Sequence, residues 1–254
     1  MTFKQLHQQN KPLLICNVWD VASARIAEQQ GFEAIGTSSA AMASMLGYED
    51  GEKMEFAELA HLVKRIAANT SLPLSVDIES GYSRNTSEII ENINVLADLG
   101  VAGINIEDSL VANERTLCDS YSFARTLETI KEAFLKNGTD LFLNVRTDTF
   151  IVGHPNQLQE TIVRAQLYET AGADGIFVPC IVAKEDISAV TGSTSLPLNV
   201  MCMPNLPAFK ELKRLGVKRI SMGNFLFGKL YDRFAQLLQD VKTQENFNPV
   251  FELC

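Results

Sequence analysis

Two acidic strand ends carry most of the chemistry available to this chain. In Leu74-Ser-Val-Asp-Ile-Glu-Ser-Gly-Tyr82 an apolar run leads into an acidic, glycine-containing turn. In Gly103-Ile-Asn-Ile-Glu-Asp-Ser109 a second β-branched run ends in Glu107 and Asp108. Asp77 and Glu79 stand two residues apart, so on an extended backbone both side chains point to one side. If the two runs are neighbouring parallel strands, their ends lie roughly 5 Å apart, and three or four carboxylates meet in a small volume. Such a cluster repels itself unless a cation or shared protons neutralise it. An all-oxygen ligand set suits Mg2+, or Mn2+, better than zinc. Arg146 closes a third strand, where a buried guanidinium needs these acids or an anionic substrate as its partner. For a single acid at a strand end, a helix cap or a salt bridge is the competing role, and Asp20 and Asp148 are expected as caps.

Missing residue types narrow the chemistry further. No expected strand ends in lysine, which disfavours imine formation; Lys184 comes six residues after its strand. His7, His61 and His154 do not cluster, so neither a zinc-histidine site nor a Ser-His-Asp triad has support. The turn after Asn199 has no glycine before Pro204, which disfavours a phosphate-ester substrate.

These residues need a frame. Short β-type runs alternate with helical segments: Leu13–Val18, Ala34–Thr37, Leu74–Asp77, Gly103–Ile106, Leu141–Arg146, Gly175–Val178, Leu198–Met201 and Arg219–Met222. Between them, helices stop at Gly31, Gly100 and Gly172, a few residues before the next strand. Short links of this kind favour a right-handed parallel series, and eight strands point to a single-domain α/β fold, the (β/α)8 TIM barrel. The domain is expected to span residues 1–254, with about 224–254 as C-terminal helix and tail. No GxGxxG follows any strand, which disfavours an open dinucleotide-binding sheet. The long segments Ser38–Lys53 and Ser109–Ser120 leave the carboxyl ends of strands, where such barrels build their active sites.

With 254 residues, 46% of them hydrophobic, the chain has ample material for a core. A net charge of −9 and no basic run argue against nucleic acid or an anionic membrane as partner. No apolar stretch approaches the ~20 residues of a spanning helix, and the first ten residues lack a secretory h-region. Five cysteines without CxxC spacing fit a reduced, cytoplasmic protein without disulfides.

Taken in order, Asn17-Val-Trp-Asp20, Gly31-Phe-Glu-Ala-Ile-Gly-Thr-Ser-Ser39, Gly47-Tyr-Glu-Asp-Gly51, Asp77-Ile-Glu-Ser-Gly-Tyr82, Gly103-Ile-Asn-Ile-Glu-Asp108, Asn144-Val-Arg-Thr-Asp148 and Ala171-Gly-Ala-Asp-Gly-Ile-Phe-Val-Pro179 resemble the isocitrate lyase and phosphoenolpyruvate mutase superfamily. The resemblance implies a barrel that holds Mg2+ through Asp77, and mostly through water by Glu79 and Glu107, with Asp50 in support. It also implies that Arg146, Asp77, Ser38, Ser39, Ala40 and Asn199 bind a small carboxylate substrate. Homo-oligomers, dimers or tetramers that exchange the last helix, here about Asn224–Lys242, are expected on the same ground.

One departure is marked. Lyases of this superfamily carry Lys-Lys-Cys-Gly-His or Lys-Arg-Cys-Gly-His after the fourth strand, whereas this chain has Ser109-Leu-Val-Ala-Asn-Glu-Arg-Thr-Leu-Cys-Asp119. Arg115 and Cys118 are the loop's catalytic candidates. The expected activity is a Mg2+-dependent lyase or decarboxylase that cleaves a C–C bond of a small 2-oxo or 2-hydroxy acid through a pyruvate-type enolate. Phosphonopyruvate-type P–C chemistry and a non-catalytic 2-oxo-acid-binding barrel are the alternatives.

Overall fold

A computed structural model describes residues 1–251; Glu252, Leu253 and Cys254, the end of the expected tail, lie outside the described residues. The strands are β1 (Leu13–Leu14), β2 (Cys16–Val18), β3 (Ile35–Thr37), β4 (Leu74–Asp77), β5 (Gly103–Glu107), β6 (Ser109–Val111), β7 (Arg115–Leu117), β8 (Phe142–Arg146), β9 (Gly175–Phe177), β10 (Leu198–Met201) and β11 (Arg219–Ser221). Nine of them form one parallel sheet in the order β1-β11-β10-β9-β8-β5-β4-β3-β2.

The expected first strand is split at Ile15. Its first half pairs with β11 and its second half with β3, so one stave joins both edges and the sheet closes into an eight-stave barrel. Ile15 N–H still donates to Ile220 O at 2.8 Å, bridging the break. Tilted staves require such a stagger between neighbours.

Outward-facing Val18, Val76, Ile104, Ile106, Val145 and Ile176 are fully buried beneath the surrounding helices. Those helices include α4 (Phe56–Ala67), α5 (Thr86–Asp98), α6 (Ser120–Asn137) and α7 (Gln157–Thr170), which follow the short α1 (Phe3–Leu6), α2 (Val21–Gln29) and α3 (Ser39–Leu46). Leu59, Val63 and Ile66 of α4 and Ile89, Ile93 and Leu96 of α5 recur at three- and four-residue steps and form their core faces. Asp20 caps α2 as expected, accepting from Ser23 N–H at 2.7 Å. The circuit is completed by α8 (Lys184–Ser193), α9 (Phe209–Arg214), α10 (Phe225–Gln244) and α11 (Asn248–Phe251). Helix α10 buries none of its residues, leaving Leu226, Leu230, Phe234 and Leu238 exposed, while Phe227 packs back against the core, edge-on to Trp19 at 5.2 Å.

Both long rim segments have their own structure. Helix α3 begins immediately after β3, with Ser38 as N-cap and Gly47 closing it at φ 86°. Strands β6 and β7 form an antiparallel hairpin whose Val111 lies against Gly51. A Cβ on Gly51 would stand 2.7 Å from that side chain.

At the opposite end, α1 plugs the barrel. Phe3, Leu6, Leu13, Ile15, Ala34 and Phe142 make a small separate core there. His7 stacks on Phe142 at 4.0 Å, and burial together with the charge of Arg219 pushes its pKa down to about 3. Above this plug the barrel is filled not by the usual branched aliphatics but by buried Ser75, Asn105, Asn144, Asn199 and Arg219.

Candidate active site

Strand ends β4, β5 and β8 deliver the charged groups. Asp77, at the end of β4, takes the Ser39 hydroxyl on Oδ2 at 2.8 Å, while its N–H donates to Thr37 Oγ1 at 2.8 Å. Burial raises its carboxyl pKa, and Arg146 opposes that shift. Glu79 follows at φ 50°, an uncommon conformation for a residue with a side chain, and its Oε2 accepts Glu52 N–H at 2.6 Å. Burial first, then the charges of Asp77, Asp50 and Glu107, push Glu79 up to about 8.

Glu107 faces two guanidinium groups. Arg146 Nη1 lies 2.9 Å from its Oε2, and Arg115 on the hairpin pairs with Oε1. Burial nonetheless pushes Glu107 up to about 7, against the pull of Arg146. Asp148, expected as a helix cap, instead accepts Arg146 Nε at 2.6 Å and Nη2 at 3.1 Å, Arg115 Nη1 at 2.8 Å and Ser109 Oγ at 2.5 Å. Burial works against its charge, but Arg146 and these hydrogen bonds prevail and hold its pKa below the usual carboxylate value. Asp108 turns away from the cluster: Arg164 Nη1 at 2.9 Å and Tyr168 Oη at 2.8 Å bind it, tying α7 to β5. Of the four acids on the ends of β4 and β5, Asp77, Glu79 and Glu107 therefore share the rim, and Asp148 from beyond β8 joins their network in place of Asp108.

A cavity of 160 Å³ opens among these groups. Ser38, Ser39, Ala40, Asp50, Asp77 and Arg146 line it, as do Asn17, Thr37, Asn105, Phe177, Met201, Ser221, Gly223 and Asn224. Glu107 flanks this lining through its pairs with Arg146 and Arg115, and Glu79 through the hydrogen bond its backbone gives Asp77. A larger cavity of 530 Å³ lies by the α1 plug, between Lys4, His7, Asp174 and Lys218. Barrel strands do not present their carboxyl ends there, so the rim cavity is the chemical one.

Two expected site residues stand elsewhere. Asn199, expected to bind substrate, is fully buried below the cavity, where its Nδ2 donates to Ser221 Oγ at 3.3 Å. Side chains alternate along a strand, so Met201, two residues on, occupies the rim level of β10 instead. Cys118 sits at the foot of the hairpin, its N–H on Asp108 O at 2.8 Å and its side chain against the core, outside the cavity lining. Arg115 does enter the charged network and also lies 3.6 Å from Asp50.

Asn17 and Asn105 reach the cavity from within their strands rather than from strand ends. Asn17 donates to Thr37 O at 2.9 Å and accepts Met222 N–H at 2.7 Å and Gly223 N–H at 3.1 Å, holding the seam shut beneath the rim. Asn105 precedes Glu107 by two residues, so the alternation that placed Glu107 inside also placed Asn105 there.

Comparison with known proteins gives a consistent picture. The family model described as phosphoenolpyruvate phosphomutase matches residues 3–242. An uncharacterized protein of Mycobacterium tuberculosis (strain H37Rv) is 35% identical over 224 residues, covering 88% of this chain and 82% of that protein. An oxaloacetate decarboxylase 1 of Pseudomonas fluorescens (strain Pf0-1) is 31% identical over 218 residues, covering 84% and 73%. Among solved structures, a candidate phosphonomutase of Burkholderia cenocepacia J2315 is 36% identical with a TM-score of 0.88, covering 93% of this chain and 97% of that one.

Proposed function

Because the chain belongs to the phosphoenolpyruvate phosphomutase family, we propose that it is a carbon–carbon lyase of the decarboxylase type, acting on a small 2-oxo dicarboxylic acid of the oxaloacetate class. The observation that carries this reading is the rim cavity itself, with Arg146 and the start of α3 facing Asp77 across 160 Å³. That is about the liquid volume of five waters, room for a three- or four-carbon acid. The decarboxylase relative points the same way.

Two N–H groups of Arg146 donate to Asp148 and its Nη1 is ion-paired with Glu107, which fixes the plane of the guanidinium and leaves N–H groups for a substrate carboxylate. The first N–H groups of α3, at Ser39 and Ala40, have no partner within the helix and favour an anionic oxygen. In decarboxylation the bond to the departing carboxylate breaks, CO2 leaves, and the electron pair moves onto the 2-oxo oxygen as an enolate. The enolate carbon then takes a proton. Donors aimed at that oxygen lower the barrier.

The donor set is all oxygen, and the carboxylates raise one another's pKa, which suits a hard divalent cation. Among the described residues no three acids, histidines or cysteines converge for direct ligation. Asp77, with Glu79, Glu107 and Asp50 in support, would hold a hydrated Mg2+ or Mn2+ ion there. When bound, such an ion supplies Lewis-acid stabilisation of negative oxygen. The exposed apolar residues of α10 are read as the contact of a dimer or tetramer.

Incubation with oxaloacetate and Mg2+, with pyruvate followed by NMR, tests the activity against a panel containing phosphonopyruvate. Pyruvate formation that EDTA or Asp77→Ala abolishes is the expected result. Turnover of phosphonopyruvate alone would install P–C chemistry in its place, the reading favoured by the candidate phosphonomutase relative. No turnover of any member would leave the binding-protein reading standing.

A further inference from the structure

Arg219 is the largest fully buried side chain of the described residues and lies inside the barrel, below the rim cavity. A guanidinium donates hydrogen bonds and never accepts them. The atom of Asn105 that faces Arg219 Nη2 at 3.3 Å is therefore the amide oxygen, and Asn144 Nδ2 donates to that same oxygen at 2.9 Å. With Oδ1 engaged twice, the Asn105 NH2 group is turned the other way. Asn105 lines the rim cavity, and its Nδ2 has no partner among the described residues. Asp77 is its register neighbour on β4. The pair thus presents a carboxylate and a neutral donor side by side.

We propose that Asn105 is a substrate-binding residue that offers an N–H to an anionic oxygen of the 2-oxo acid, with Arg219 and Asn144 as its positioning residues. This assignment rests on the proposed 2-oxo-acid site. An amide suits the place because it donates without adding charge beside Asp77, and because Arg219 leaves it only one orientation. The buried cation thereby acts on the substrate at one remove.

Oxalate, an acceptor-only mimic of the pyruvate enolate, is the probe. Calorimetry of the whole protein in Mg2+ is expected to show oxalate binding weakened about 10-fold by Asn105→Ala, the loss of one hydrogen bond to a charged acceptor. Asn105→Asp, which keeps the acceptor for Arg219 and reverses the group facing the cavity, weakens it further. In 15N-resolved NMR of the wild type, the Asn105 side-chain NH2 pair, assigned through its own backbone, shifts on adding oxalate; an amide with a purely structural role stays put. That second readout decides the matter even if neither variant folds. Oxalate binding in Asn105→Ala within twofold of wild type, with an unmoved NH2 pair, overturns this assignment alone. A wild type that neither binds oxalate nor turns over any 2-oxo acid overturns the proposed function and this assignment with it.

Discussion

Raising the pH of the metal-free protein from 6.5 to 8 should destabilise it, and the size of the effect follows from Glu79. A carboxyl whose folded pKa lies above its unfolded value binds more protons in the folded chain, so stability falls as pH rises between the two values. For Glu79 that window runs from 4.5 to about 8, and for Glu107 from 4.5 to about 7. His7 acts in the opposite sense, because its folded pKa is about 3; its contribution grows with pH and is complete just above its ordinary value of 6.5. The thiols of Cys16, Cys118 and Cys180, raised above 9.0 by burial, enter only at higher pH. Between pH 6.5 and 8 the acids therefore dominate. One proton across 1.5 pH units is worth about 2 kcal/mol, or roughly 4–8 °C in Tm for a chain of this size. Thermal melts in EDTA across that range are the assay, with Glu79→Gln expected to flatten the slope. Saturating Mg2+ should remove the slope or invert it, since a cation favours the ionised acids. A metal-free Tm that stays level or climbs from pH 6.5 to 8 would refute the argument that three like charges crowd this rim.

Three further outcomes are expected. Gly175→Ala should cost about 1–3 kcal/mol in urea denaturation, because the new Cβ would stand 2.8 Å from Asn144 Oδ1 and 2.9 Å from the Phe142 ring. Cys118→Ser should leave kcat/KM within about twofold of wild type while Arg115→Ala lowers it at least tenfold, because only Arg115 reaches Glu107 and Asp148; equal losses would place the thiol in the reaction. Leu230→Glu combined with Phe234→Glu should convert an oligomer to monomer in sedimentation, since both side chains are half exposed in the single chain; an unchanged sedimentation coefficient would mean that α10 is not the contact.

The frame was legible because each stave and helix is specified locally. Gly31, Gly100 and Gly172 all adopt positive φ just past their helices, as their positions in sequence required. The convergence of Asp77, Glu79, Glu107 and Arg146 was legible because strand ends in a barrel come together whatever the loops do. The split of the first strand was not legible: Leu13–Val18 reads as one β run, and only closure of the sheet divides it. Nor was the hairpin, since Ser109–Leu117 carries no Asn-Gly or Asp-Gly turn. Asp148 was misread for a related reason. A cap is a local interaction, while its actual partners Arg146, Arg115 and Ser109 come from three elements that only the fold brings together. Asn199 was placed one layer too high, an error of two residues along a strand whose interior positions differ in depth but not in pattern.

The seam at Ile15 also bears on how the molecule is made. Leu13 pairs with Arg219 and Leu14 with Ile220, so a chain emerging from the ribosome holds its first stave without a partner on one side until β11 has been synthesised. Pairings between distant parts of a chain form slowly, and an open edge is a template for wrong partners meanwhile. The stave that finally docks carries Arg219, whose guanidinium spans to Ser75 and Asn105 on the far strands. Closing the ring and setting the floor of the rim cavity are thus a single event, and a nascent chain arrested before β11 lacks both.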